Sequence, residues 1–223
     1  MFTPETLKFL RALKRNNDRE WFRTRKDQYE QHVRAPMIAV IERLANDFKG
    51  FAPEIVASPK TSLYRIYRDT RFSDDKTPLK IQVSASFRWK GLPKGEGAGL
   101  YLEVHPQWVW IGGGFWAPPA PQLVRIREHI ARTFPEIQRL SQARSFTKVL
   151  GTLDGEKLTR VPRGYPKDHP AAEYLKFKQF LAAREFPAQF ATSAGFYPAL
   201  IETYKTIMPL IRFLNEPLTA ESR

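Results

Sequence analysis

The densest group of charged side chains in the sequence lies at residues 65–80, where five cations and three carboxylates stand within 16 positions. Guanidinium groups make paired hydrogen bonds to carboxylate and phosphate oxygens, so this composition is typical of an anion-binding site. The ligand-binding candidates in this segment are Arg68, Arg71 and Lys76. Asp69 is the candidate for holding an arginine in place or for taking part in catalysis.

An alternative interpretation of the same segment is a set of internal ion pairs that braces a turn. If residues 62–68 form a strand, Arg68 shares a face with Ile66 and points towards the interior or a pocket. A buried arginine needs an acidic partner, and Asp69 or Asp74 is the expected one. Bracing predicts that loss of the arginine lowers stability, whereas a ligand site predicts that it abolishes binding.

A second group of functional candidates lies in the proline-rich stretch at residues 160–170. Prolines stiffen a loop, so side chains that project from it are suited to preorganised contacts. Arg160 and Arg163 are the ligand-binding candidates here. Tyr165 and His169 are the catalytic candidates. His169 is the stronger acid–base candidate, because the ordinary pKa of a histidine is about 6.5. The alternative for His169 is a capping or packing role at the start of the next helix.

We expect residues 65–80 and 160–169 to lie side by side and to share one cleft. If the two segments lay on opposite faces, the cations within each would repel one another with no shared ligand to offset the repulsion. Facing one cleft, they would share an anion, and apolar walls would focus the field that attracts it. One arginine from each segment, such as Arg68 and Arg163, should then reach a single phosphate-sized ligand.

The formal net charge of +13 also fits a nucleic-acid-binding protein. The excess is spread along the chain, however, and there is no basic tail or run of five or six cations. Trp89, Trp108, Trp110 and Trp116 are candidates for stacking on bases. Nucleic-acid binding is therefore the first alternative to a small anionic ligand.

The 223-residue chain has no cysteine, which excludes disulfides, thiolate zinc sites, iron–sulfur clusters and cysteine nucleophiles. The four histidines lack the spacing of metal ligands. No apolar run approaches the ~18–20 residues of a membrane span. We expect no cofactor, no bound metal and no membrane contact, and a cytoplasmic location.

Hydrophobic periodicity predicts helices at both ends of the chain. The first precedes Asn16, and a capping box formed by Asn17 and Glu20 starts the second. A third begins at Pro36 and ends near Gly50.

Later in the chain, helices are predicted from residue 121, over 170–181 and from 192 or 193, with Pro209 kinking or ending the last one.

Between the helical ends, alternation predicts strands over residues 81–89, 100–104 and 108–111, with connections short enough for an antiparallel meander. Gly112, Gly113 and Gly114 indicate a bulge or strand end. A hairpin is predicted to pair residues 149–151 with 157–159. The predicted fold is therefore α+β, a central and mainly antiparallel sheet with helices at both chain ends packed on it, in a single domain of residues 1–223.

The run Arg65-x-x-Arg68-Asp69-x-Arg71-Phe72, with Lys76, Pro78 and Lys80 after it, resembles the hallmark of the bacterial family called domain of unknown function 2461. The likeness extends over almost the whole chain. It includes the opening, the three glycines and the third block, with residues Asn16-Asn17, Trp21-Phe22, Gly112-Gly113-Gly114, Pro162-Arg163-Gly164-Tyr165 and His169-Pro170. One departure is Leu79, where the family leads us to expect a tyrosine. The resemblance implies no activity or cofactor.

The residues therefore favour an uncharacterised protein with an arginine-rich pocket for a phosphate- or carboxylate-bearing small molecule, with catalysis left open. The alternatives are a nucleic-acid-binding protein and a structural or interaction protein whose Arg–Asp networks only brace the fold. The sequence does not indicate an oligomeric state.

Overall fold

The computed structural model describes residues 1–71, 74–93 and 95–219. Its N-terminal third is helical, as the periodicity predicts. The four helices are α1 (Pro4–Arg15), α2 (Arg19–Arg23), α3 (Lys26–Tyr29) and α4 (Ala35–Phe51), with a π-helical turn at Glu30–Arg34 that joins α3 to α4.

The predicted capping box at the start of α2 is wrong, because the cap is Asp18. Its Oδ1 accepts the backbone N–H groups of Glu20 (2.8 Å) and Trp21 (3.0 Å). The Asn17 side chain makes a long-range contact instead: its Nδ2 donates to the carbonyl of Leu79 (2.8 Å), and its Oδ1 accepts the N–H of the same residue (3.0 Å). Asn17 therefore joins the connection between α1 and α2 to a segment 62 residues away.

The sheet has five antiparallel strands, which confirms the α+β prediction. Its strands, which neighbour one another in chain order, are β1 (Ile55–Val56), β2 (Val83–Trp89), β3 (Gly99–Val104), β4 (Trp108–Phe115) and β5 (Phe180–Pro187). A short helix, α5 (Pro59–Ser62), lies between β1 and β2 in the chain.

The remaining helices follow β4 and β5 in the chain. They are α6 (Ala120–Arg132), α7 (Phe134–Gln142), α8 (Arg144–Leu150), α9 (Ala172–Leu175) and α10 (Phe196–Thr219), with a 3-10 turn at Ala188–Thr192. No helix in the described part of the chain is long and apolar enough to cross a membrane.

Three local predictions are wrong. Residues 62–68 form no strand and contribute only isolated bridges at Leu63 and Tyr67. Residues 149–151 and 157–159 form no hairpin, since α8 takes up the first segment and the second pairs through Lys157 with Phe177. The predicted helix over 170–181 is the short α9 followed by β5. Of the two outcomes predicted for Pro209, the end of the helix is excluded, because α10 continues through this residue.

The three glycines were predicted to form a bulge or to end the strand, and β4 continues through them. A Cβ atom at Gly112 would collide with the carbonyl of Ala182, and one at Gly114 with the carbonyl of Phe180. Gly114 also has a φ of 130°, which side-chain-bearing residues rarely adopt. These glycines therefore serve the close approach of β4 to β5.

The described chain divides into two compact units, and strands β2 to β5 and helix α10 contribute residues to both. The first contains residues 1–87, 101–111 and 185–200. There α4 packs on β2 through Phe48 and Phe87, whose ring centroids lie 5.5 Å apart. The expectation of a single domain stays a prediction.

The second unit is formed by the described parts of residues 88–100, 112–184 and 201–223. In it the buried Asn215 side chain bonds both backbone groups of Ala98, with distances of 2.8 and 3.0 Å. The carboxamide thus takes the place of a neighbouring strand.

We predict that Asn17→Ala lowers the free energy of unfolding, because it leaves the N–H and C=O of the buried Leu79 without their partner. The expected loss is about 1–3 kcal/mol, the cost of an unsatisfied buried polar group. Urea denaturation measures it. Arg15→Ala, at an exposed position in the last turn of α1, is the control and should stay within about 0.5 kcal/mol of the parent. Equal losses in the two variants would contradict the assignment.

Candidate functional site

An open cleft of about 550 Å³ lies in the first unit, at the end of α1 and along residues 68–82. Three cations and two carboxylates are among its lining residues. These are Lys14, Asn17, Arg68, Asp69, Asp75, Thr77, Leu79, Lys80, Ile81 and Gln82. Arg68 and Asp69, two of the residues predicted from the sequence, therefore share one cleft.

The backbone around this cleft is held by a short antiparallel ladder. The N–H of Arg68 donates to the carbonyl of Pro78 (2.9 Å), and the N–H of Lys80 donates to the carbonyl of Ile66 (2.8 Å). The Asn17 side chain bonds Leu79 between these two rungs. Arg68 and Lys80 are thus placed by backbone bonds, independently of their charges.

The acidic partner of Arg68 is Asp75, and the prediction of Asp69 or Asp74 is wrong. Asp75 Oδ1 accepts the N–H (2.9 Å) and the hydroxyl (2.8 Å) of Thr77, while Oδ2 pairs with Arg68 Nη1. The bonds from Thr77, with that from Arg68 third, lower the pKa of Asp75 from 3.8 to about 2. The Arg68 and Asp75 side chains are 27% and 53% exposed, so this is not the buried pair that the strand hypothesis implied.

Asp69 holds an arginine, as predicted, and that arginine is Arg71. Arg71 donates from Nε to Oδ1 (3.0 Å) and from Nη2 to Oδ2 (2.8 Å), and these bonds lower the pKa of Asp69. Arg71 and Lys76 are exposed and lie outside the lining of the cleft. Lys76 Nζ donates to the carbonyl of Thr70 (3.1 Å).

Lys80 is the least compensated cation that lines the cleft. Its half-buried Nζ lies 4.7 Å from the centroid of the Tyr64 ring. Burial, followed by the charges of Arg65 and Arg68, lowers its pKa, against a smaller opposite effect of Glu103. Among the described residues, no carboxylate lies within ion-pair distance of its ammonium group. An anion in the cleft would relieve this repulsion.

Lys14 is the second lysine of the cleft, and sequence reasoning did not single it out. It lies in the last turn of α1, and its Nζ donates to Gln107 Oε1 (2.8 Å). Basic residues are common in last helical turns. No sequence pattern therefore distinguishes it from Arg15.

The second predicted block lies on an irregular stretch of the second unit. Arg160 and Arg163 are exposed, whereas Tyr165 and His169 are half-buried. The rings of the last two make an edge-to-face contact at 6.0 Å. Burial also raises the pKa of Tyr165, with a further rise from Glu128.

His169 contacts the backbone at the start of α9, where a capping or packing role was the alternative to catalysis. Its Nδ1 accepts the N–H of Ala171 (3.0 Å), and its carbonyl accepts that of Ala172 (2.8 Å), the first residue of α9. Because Nδ1 is an acceptor, the proton of the neutral ring sits on Nε2.

The two predicted blocks belong to different units. Their juxtaposition in a shared cleft stays a prediction, as do the functional roles of Arg160, Arg163, Tyr165 and His169. Phe72 of the sequence motif lies outside the described residues. Within the described ranges, no group of three or more histidine, aspartate or glutamate side chains is placed to hold a metal ion.

Comparison with protein families matches residues 5–213 to a family of conserved hypothetical proteins, DUF2461, and the chain belongs to that family. The resemblance inferred from the arginine motif is thus confirmed at the level of the family. Searches of curated proteins and of solved structures give no match.

We predict that Asp75 contributes to stability in a pH-dependent way. Its folded pKa lies below the ordinary value of 3.8, so the contribution is complete above that pH and is lost as the pH falls towards 2. The urea midpoints of the parent and of Asp75→Asn should therefore converge between pH 4 and pH 2. Thr77→Val removes one hydroxyl donor and should move this window to higher pH. Midpoints that differ by a constant amount throughout would contradict the account.

Proposed function

We propose that the protein binds a small anionic molecule, bearing phosphate or carboxylate, in the cleft lined by Lys14, Arg68 and Lys80. The observation that carries the proposal is the half-buried Lys80 ammonium, whose pKa is lowered and which has no described acidic partner. A phosphate or carboxylate group would supply that partner.

The carboxylates of the cleft do not compensate its lysines. Asp75 is engaged by Thr77 and Arg68, and Asp69 by Arg71. The cleft therefore has a positive potential although two acids line it. Positive clefts concentrate anions and accelerate their association.

The arginine pairs act in this proposal as supports for the site. Arg68 keeps its guanidinium at the cleft by bonding Asp75 and Thr77. Bracing and binding are thus two roles of one network. A cytoplasmic location stays part of the proposal.

A second candidate function, nucleic-acid binding, is favoured by the Trp116 ring, which is 69% exposed. Exposed aromatic rings stack on unpaired bases. A gel shift with single-stranded DNA, run from low to physiological salt, tests it. Binding that weakens steeply with salt and is reduced by Trp116→Ala would support this function. An absent shift at low salt would remove it.

We predict that phosphate, sulfate or citrate raises the thermal midpoint of the protein in a saturable way. A ligand at one hundred times its Kd stabilises the folded state by about 2.7 kcal/mol. Lys80→Met and Lys14→Met should each reduce this response, because each removes one cation of the cleft. Lys8→Met, an exposed position on the same helix as Lys14, is the matched control and should respond like the parent. A parent protein indifferent to all three anions would refute the proposal.

Without ligand, Lys80→Met should not destabilise the protein at neutral pH. Because folding lowers the pKa of Lys80, the ammonium group costs the folded state free energy at pH values below its ordinary pKa of 10.5. This cost fades as the pH rises towards 10.5. Urea denaturation should therefore show an equal or higher midpoint for the variant at pH 7, with the difference shrinking at high pH. A clearly lower midpoint at pH 7 would contradict this role of Lys80.

A further inference from the structure

In the first unit, the less buried face of the sheet is rich in aromatic side chains. Along β3, Leu102 and Val104 are buried, while Tyr101 and Glu103 alternate with them and are half-buried. The same alternation in β4 leaves Trp108 and Trp110 half-buried. The less buried face thus carries large aromatic rings around one carboxylate.

These rings form a connected group. The centroids of Tyr101 and Trp110 lie 5.6 Å apart, and those of Tyr101 and Tyr64 lie 6.3 Å apart, both in edge-to-face geometry. Tyr64 is 40% exposed. We call Tyr64, Tyr101, Trp108 and Trp110 the aromatic platform.

Glu103 lies within the platform with half of its acceptor capacity used. Tyr101 Oη donates to its Oε2 (2.8 Å), and Trp108 Nε1 donates to its Oε1 (3.0 Å). A carboxylate has about four lone-pair sites, two on each oxygen. Each oxygen of Glu103 therefore retains one site for a further N–H donor.

The platform adjoins the cationic cleft through both of its lysines. Lys80, which lines the cleft, lies over the ring of Tyr64. Lys14, which also lines it, donates to Gln107, the residue before Trp108. On the same turn His105 stacks against Trp108 at 3.5 Å. Both lysines of the cleft thus contact the platform or the turn next to it.

We propose that the anionic ligand of this cleft is a guanine nucleotide, with its phosphate at Lys14, Arg68 and Lys80 and its base on the aromatic platform. This inference rests on the proposed function. A flat heteroaromatic ring suits the platform, because every base stacks on aromatic side chains. The guanine edge presents two neighbouring N–H groups, which match the two free acceptor sites of Glu103. The adenine edge presents one donor beside an acceptor nitrogen, which the carboxylate repels.

Isothermal titration calorimetry with GMP, AMP, ribose 5-phosphate and inorganic phosphate tests the proposal on the full chain. GMP should bind about tenfold or more tightly than ribose 5-phosphate, which has no base to stack on the platform. GMP should also bind more tightly than AMP, because only the guanine edge offers two neighbouring donors to Glu103. If either ribose 5-phosphate or AMP binds as tightly as GMP, the inference of a guanine nucleotide is overturned and the anion-binding function stands. If none of the four binds, both fail.

Variants separate the two contacts of the base. In Glu103→Gln the amide offers one donor and one acceptor, so the preference for GMP over AMP should disappear or reverse while phosphate binding persists. Trp110→Leu should weaken GMP and AMP towards the level of ribose 5-phosphate. Trp116→Leu, at an exposed ring outside the platform, is the control and should bind like the parent. An unchanged GMP preference in Glu103→Gln would overturn the assignment of Glu103.

Discussion

The pairing of the Asn17 carboxamide with both backbone groups of Leu79 is the constraint on which the cleft depends. An amide side chain that donates and accepts imitates a neighbouring strand, and it does so where the local ladder has only two rungs. It joins the end of α1, which carries Lys14, to the segment that carries Arg68 and Lys80. This contact fixes the position of Lys14 relative to Arg68 and Lys80.

Placement by the backbone explains how like charges come together without opposite charges between them. The carboxylates of the segment are taken up by partners within it, Asp75 by Thr77 and Arg68, and Asp69 by Arg71. The repulsion at Lys80 therefore remains, and burial together with the charges of Arg65 and Arg68 lowers its pKa. Sites that hold charge in this way are poised for a ligand of opposite sign.

The fold class and the strands β2 to β4 were predictable because their alternation and the short connections between them are local signals. The site was predictable only in part. The arginine motif identified Arg68 and Asp69, since clustered guanidinium and carboxylate groups are visible along the chain. Lys14 and Asn17 were not identified as cleft residues, because their roles come from contacts across more than 60 residues. β5 was missed because its first two residues were assigned to the helix predicted over 170–181 and no strand was predicted for the residues after it.

The most direct test of the central claim is a crystal structure of the protein soaked in selenate, with the anion located by the anomalous signal of selenium. The account predicts a selenate peak in the cleft, within hydrogen-bonding distance of Lys80 Nζ and of at least one of Lys14 Nζ and the Arg68 guanidinium. A well-diffracting, fully soaked crystal with no anomalous peak in this cleft, or with ordered selenate only elsewhere on the surface, would contradict it.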